Sequence, residues 1–158
     1  MLARRRLLAA LGASVALVGL AACDKPTPIV TLYSGDSSVY DAAFSYCFDG
    51  QDPAKQPGTP GACRYATGGG RTPKVLKVRP GDEVTVDVDK DLADKGWFVA
   101  LRGAGGQTSR LATQSEHVTS FQPDFSQSPT ITVEIQKLAS ATDNAKPQGV
   151  WQFAIVPR

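Results

Sequence analysis

The chain has 158 residues, 42% of them hydrophobic and 20% charged, which suits one domain with a proper core rather than a disordered polymer. Its net charge of +2 rests on Arg4, Arg5 and Arg6; taking these three from the 17 basic residues leaves 14 against 15 acidic, a net of −1. The electrostatic footprint of a nucleic-acid binder is therefore missing, and the remaining charges mix in sign with no polybasic block.

Residues 1–22 are built differently from the rest. Arg4–Arg6 form a positive start, and Leu7–Leu20 form an apolar run too short and too rich in Ala and Gly for a comfortable membrane span. Leu20-Ala21-Ala22-Cys23 then places two small residues directly before a cysteine. This resembles the lipobox of bacterial lipoproteins. The resemblance implies a signal peptide over 1–22, cleavage between Ala22 and Cys23, and a diacylglyceryl group on the Cys23 sulfur, usually joined by a third acyl chain such as palmitate. The implied partner is the lipid bilayer, entered through those chains, with the domain on the extracytoplasmic face of the cell membrane. The Arg-rich start suits the twin-arginine export route as well as the general one.

Three cysteines would leave one free thiol in an exported protein. With Cys23 consumed by lipid, Cys47 and Cys63 remain as a pair, and an oxidising compartment favours their disulfide. Closing the intervening loop is worth about 3 kcal/mol on the chain-entropy account. The C-x-x-C spacing of a redox pair is absent.

After Cys23, Asp24–Pro28 forms a short tether stiffened by Pro26 and Pro28. Residues 29–158 then form a single domain whose pattern is β. Ile29–Tyr33 is a β-branched strand ending at Ser34-Gly35-Asp36, and Val39–Phe48 is a second strand weakened by Asp41-Ala42-Ala43. Residues 49–70, with Pro53, Pro57, Pro60 and Gly68–Gly70, read as a long aperiodic loop. Val75–Val78 and Glu83–Val88 form the clearest strand pair across Arg79-Pro80-Gly81-Asp82, with Val84, Val86 and Val88 on one face. A helical turn over Leu92–Lys95 stops at Gly96. Trp97–Leu101 follows, with Trp97, Val99 and Leu101 on one face. Edge strands are expected near Ser109–Thr113 and His117–Phe121. The chain closes on Thr130–Gln136, with Ile131, Val133 and Ile135 inward, and on Val150–Val156, with Trp151, Phe153 and Ile155 inward. Short strands, turn signals and no long amphipathic helix predict an all-β, immunoglobulin-like two-sheet sandwich.

Candidate chemistry is sparse. Asp87-x-Asp89-x-Asp91 has the spacing that opens a calcium loop, but Leu92 stands where that loop needs Gly and Phe98 where it needs Glu. Asp87 also reads as an outward strand residue, and Asp89 or Asp91 as a cap for the next turn. A cupredoxin site needs two histidines, a cysteine and a weak axial ligand. His117 is the sole histidine, and Met1 leaves with the signal. A Ser-His-Asp hydrolase could use only His117, and no nucleophile-elbow motif accompanies it. Gly68-Gly69-Gly70-Arg71 lacks the frame of a phosphate cradle and reads as a hinge. Trp97 and Trp151 read as core. Tyr33, Tyr40, Phe44 and Tyr46 lie on the strands nearest the anchor, where they either fill the core or line a ligand groove.

Several stretches carry a wider resemblance: Cys23–Thr31, Tyr46–Gly50, Val78–Gly81, Val86–Lys90 through Gly96-Trp97, and Trp151–Phe153. Together they are similar to an actinobacterial family of small lipoproteins classed as a domain of unknown function. That likeness implies an envelope lipoprotein and brings no catalytic or binding residues with it. The expectation is a non-enzymatic interaction or accessory module, without cofactor, meeting an envelope protein. The alternative is a small-ligand or calcium binder using Asp87, Asp89 and Asp91 or the aromatic strands.

Overall fold

A computed structural model describes residues 25–65, 71–103, 108–110, 116–138 and 147–158. Eleven strands and one short helix follow in order: β1 Ile29–Ser34, β2 Ser37–Ala42, β3 Ser45–Tyr46, β4 Arg64–Tyr65, β5 Lys74–Val78 and β6 Val84–Val88. Then come α1 Lys90–Ala93, β7 Trp97–Arg102, β8 Thr108–Arg110, β9 Val118–Phe121, β10 Ile131–Lys137 and β11 Gly149–Pro157. They form the expected two-sheet sandwich. One sheet has four strands in the order β2-β1-β6-β9, and the other has seven, in the order β4-β3-β11-β10-β7-β8 with β5 also on β11.

The alternation predicted from sequence sets the two inner faces. Val30 and Leu32 of β1 and Val84, Val86 and Val88 of β6 meet Trp97 and Val99 of β7, Val133 and Ile135 of β10, and Trp151, Phe153 and Ile155 of β11. All are buried, as a side-chain period of two requires for sheets covered on one face. Among the described residues, the buried core runs from Val30 to Ile155.

Four expectations need correction. Val39–Phe48 is not one strand: it breaks at Ala43-Phe44, with β2 in the four-stranded sheet and β3 in the other. The break lets Phe44 and Cys47 donate to the carbonyls of Val150 and Gln148 at 2.7 and 2.6 Å, tying this segment to β11. Nor do β5 and β6 pair. Arg79-Pro80-Gly81-Asp82 does turn, with the Asp82 amide on the Arg79 carbonyl at 3.0 Å and Gly81 at φ 95°. It carries the chain from one sheet to the other instead of folding it back. β5 runs parallel to β11, from Lys74 opposite Phe153 to Val78 opposite Pro157. Crossing lets Leu76 and Val78 fill one inner face while the β6 valines fill the facing one. The long loop also contains β4, which its composition did not reveal, and the predicted helical turn sits two residues earlier than expected, as α1.

Candidate functional site: an exposed sheet face and a pocket beside Lys25

Strand registers gather one end of the sandwich around the tether. Ile29 opposes Ala42, Val30 opposes Val88, Lys137 opposes both Trp97 and Gly149, and Gly149 opposes Tyr46. The two sheets are clasped there by the Trp151 indole, which donates to the Pro28 carbonyl at 3.0 Å. The Ile29 amide donates to Oδ2 of Asp89 at 3.0 Å. Gly149 admits no side chain, because a Cβ would stand 2.8 Å from the Trp151 ring and 3.0 Å from that of Tyr46. Cys23, the expected lipidation site, lies outside the described residues, and so does the Gly68–Gly70 hinge.

At this end lies an open pocket of about 470 Å³ lined by Lys25, Tyr46, Cys47, Phe48, Asp49, Gln51, Arg64, Asp91 and Lys95. The Cys47–Cys63 disulfide forms as expected and fixes two of its walls, since Cys63 precedes Arg64. The Arg64 guanidinium lies over the Phe48 ring at 5.3 Å and donates to the Lys25 carbonyl at 3.3 Å. Lys95 pairs with Asp49 at 3.3 Å, and the Gln51 side-chain oxygen accepts from the Phe48 amide at 2.9 Å. Behind the Tyr46 ring sits Lys137, only 1% exposed, with Nζ 3.3 Å from the Tyr46 hydroxyl and 4.5 Å from the ring centroid. Burial pulls the Lys137 ammonium below the usual lysine value, and Lys95 and Lys25 push the same way against Asp49 and Asp91. Burial likewise raises the Tyr46 phenol, helped by Asp91, Asp49 and Asp89. Lys137 went unnoticed in the sequence, yet a signal was there: it continues the inward series Ile131, Val133, Ile135, so a lysine occupies a core register.

The outer face of the four-stranded sheet is the second feature. Thr31, opposite Tyr40, and Tyr33, opposite Ser38, also oppose Asp87 and Thr85 on β6. Asp87 and Thr85 in turn oppose Val118 and Ser120 on β9. Side chains directly opposite share a face, so this face presents Tyr40, Thr31, Asp87 and Val118 in one row and Ser38, Tyr33, Thr85 and Ser120 in the next. Tyr40 is 68% exposed, Ile29 47%, Val118 42% and Tyr33 38%. The aromatic group singled out in the sequence is therefore split. Tyr33 and Tyr40 face solvent, while Tyr46 packs edge-on against Phe48 and Trp151.

The three aspartates of the alternative calcium reading stand in different surroundings. Asp87 stands on the outer face of β6, Asp89 is engaged with the Ile29 amide, and Asp91 opens on the pocket. Among the described residues no three His, Cys, Asp or Glu side chains are grouped as metal ligands. Asp89 does occupy the N-cap position of α1, but its carboxylate makes no capping bond because β1 has claimed it. Nδ1 of His117 lies 3.3 Å from the Val88 carbonyl oxygen, a backbone contact on an exposed side chain. Trp97 and Trp151 are fully buried, as predicted, each satisfying its indole N–H on a backbone carbonyl.

Comparison with protein-family models, curated proteins and solved structures finds no match to this chain. No described helix is long and apolar enough to cross a membrane.

Proposed function

We propose that the protein is an envelope lipoprotein anchored through acylated Cys23, whose sandwich works as a non-catalytic interaction module. The anchor reading is supported by the Arg4–Arg6 start, the apolar run and the Leu20–Cys23 lipobox. Two or more acyl chains at about 0.8 kcal/mol per buried methylene would make the attachment effectively permanent.

The observation that carries the interaction reading is the outer face of the four-stranded sheet, where Ile29, Tyr33, Tyr40 and Val118 are exposed together. Tyrosines flanked by hydroxyl side chains suit a protein contact: the rings bring large area with few rotors, and the hydroxyls bring hydrogen bonds. Pro28, five residues from Cys23, is clasped to the domain, so this face stays close to the membrane that the acyl chains enter, and the partner is an envelope protein.

The test is crosslinking of the full-length protein in its native cells, comparing wild type, Cys23→Ser and the double variant Tyr33→Ser/Tyr40→Ser. A partner captured by wild type and lost in both variants supports the reading. Capture unaffected by the tyrosine changes removes this face from it, and a Cys23→Ser protein that stays in the membrane fraction removes the lipid anchor.

A further inference from the structure

The pocket lies next to the anchor. Lys25 lines it and is two residues from Cys23, a reach of at most about 7 Å for extended chain. We propose that this pocket holds the phosphate-bearing headgroup of a lipid in the same membrane that the Cys23 acyl chains enter. The proposal rests on the lipoprotein reading for its geometry, because acylated Cys23 sets the pocket mouth at the level of the headgroups.

Its chemistry fits a headgroup better than a bare anion. Arg64, Lys25 and Lys95 contribute three cations to the lining. Stacking on Phe48, the bond to the Lys25 carbonyl and the adjoining disulfide hold the Arg64 guanidinium at the pocket wall, where it contributes a fixed positive charge. Among the described residues Lys95 pairs with Asp49, which is 95% exposed; such a surface pair is weak and yields to a better anion. Asp49 and Asp91 oppose a simple phosphate. They become useful when the ligand also carries hydroxyl or ammonium donors, as glycerol and ethanolamine headgroups do. Tyr46 and Phe48 supply apolar surface beneath them. Lys137, sealed behind the Tyr46 ring, adds a positive potential below the floor whenever it is protonated.

The experiment uses residues 23–158 with Cys23→Ser, so that no acyl chain contributes, in flotation with vesicles of three compositions. These are phosphatidylcholine alone, whose headgroup has no N–H or O–H donor, and phosphatidylcholine mixed with phosphatidylglycerol or with phosphatidylethanolamine. Retention is expected on the mixed vesicles above the phosphatidylcholine background. Lys25→Gln, on the tether where the fold is not at stake, and Arg64→Gln should each lower it about fivefold, the worth of one cation at a membrane surface. Lys74→Gln and Lys77→Gln, at exposed positions of β5, are the charge controls and should leave it unchanged.

Equal losses in pocket and control variants would reduce the effect to diffuse charge and overturn the proposal. Absence of retention overturns it too. So does a melting temperature raised by inorganic phosphate with vesicles left unbound, because the source would then be free phosphate. Radiolabelled palmitate incorporation into the full chain, compared with Cys23→Ser, tests the anchor separately: label at Cys23 together with unaltered pocket variants sinks the pocket alone.

Discussion

The indole of Trp151 and the carbonyl of Pro28 meet at 3.0 Å, joining the last strand of one sheet to the residue that precedes the first strand of the other. The bond satisfies a fully buried indole N–H and fixes the chain five residues past Cys23. The residue before β1 is thereby held against the domain.

Trp151→Phe keeps most of the ring volume and removes the donor, leaving the Pro28 carbonyl without this partner. The loss should be about 1–3 kcal/mol, from the unmade hydrogen bond and the small cavity. Urea denaturation measures it. Limited proteolysis should find residues 25–28 cut faster in the variant, and an unchanged cleavage rate would mean that the clasp does not restrain the tether.

Much of this end was legible in the sequence, and the reason is periodicity. Val84, Val86 and Val88, the Ile131 series and the Trp151 series announce which face is inward, because one-sided burial of a strand forces a period of two. The disulfide followed from cysteine arithmetic. Pairing was less legible: β5 beside β11 and β3 beside β11 are contacts between distant segments that no local pattern encodes. The pocket was missed for the same cause. Lys25, Phe48, Arg64, Asp91 and Lys95 are scattered in sequence and meet because the disulfide, β4 and α1 converge there.

Reduction of Cys47–Cys63 should lower the melting temperature without unfolding the domain. The loop closure is worth about 3 kcal/mol, whereas the core of β1, β5, β6, β7, β10 and β11 lies outside residues 47–63. Melting followed by near-ultraviolet circular dichroism, with and without reductant, checks this. A reduced protein lacking near-ultraviolet signal at room temperature would show that the staple is needed for the fold itself.

Asp41 is 5% exposed on β2, and its charge is met by Arg71 just past the long loop. Oδ1 takes the Arg71 guanidinium and the Ala42 amide, Oδ2 has no partner among the described residues, and Arg71 also lies over the Phe44 ring at 5.3 Å. Removing Arg71 therefore strands a buried carboxylate, while removing both charges does not. Because Arg71 is about a third exposed, Arg71→Ala should cost only about 1–3 kcal/mol, less than a fully buried pair would. Arg71→Ala combined with Asp41→Asn should recover part of that loss. A double-mutant cycle reads the coupling, and strictly additive losses would show that the pair contributes nothing.

Lys137 makes the sharpest pH prediction. Its folded-state pKa is lowered by burial, so between that value and the ordinary 10.5 the unfolded chain binds the extra proton. The stability of the wild type relative to Lys137→Met should therefore rise as pH climbs toward 10.5 and then level off. The Tyr46 phenol acts in the opposite sense: its raised pKa keeps the folded state protonated longer, so its contribution falls as pH rises above 10.0. Tyr46 is present in both proteins, so the comparison cancels most of that term. Methionine matches the unbranched stem and needs no hydration. Lys137→Met should accordingly be the more stable protein near neutral pH, at the expense of the cation contact with the Tyr46 ring. Urea midpoints across the alkaline range supply the test. A difference between the two proteins that stays flat with pH would mean that Lys137 titrates as an ordinary lysine, and that its burial is relieved by water reaching it through the pocket.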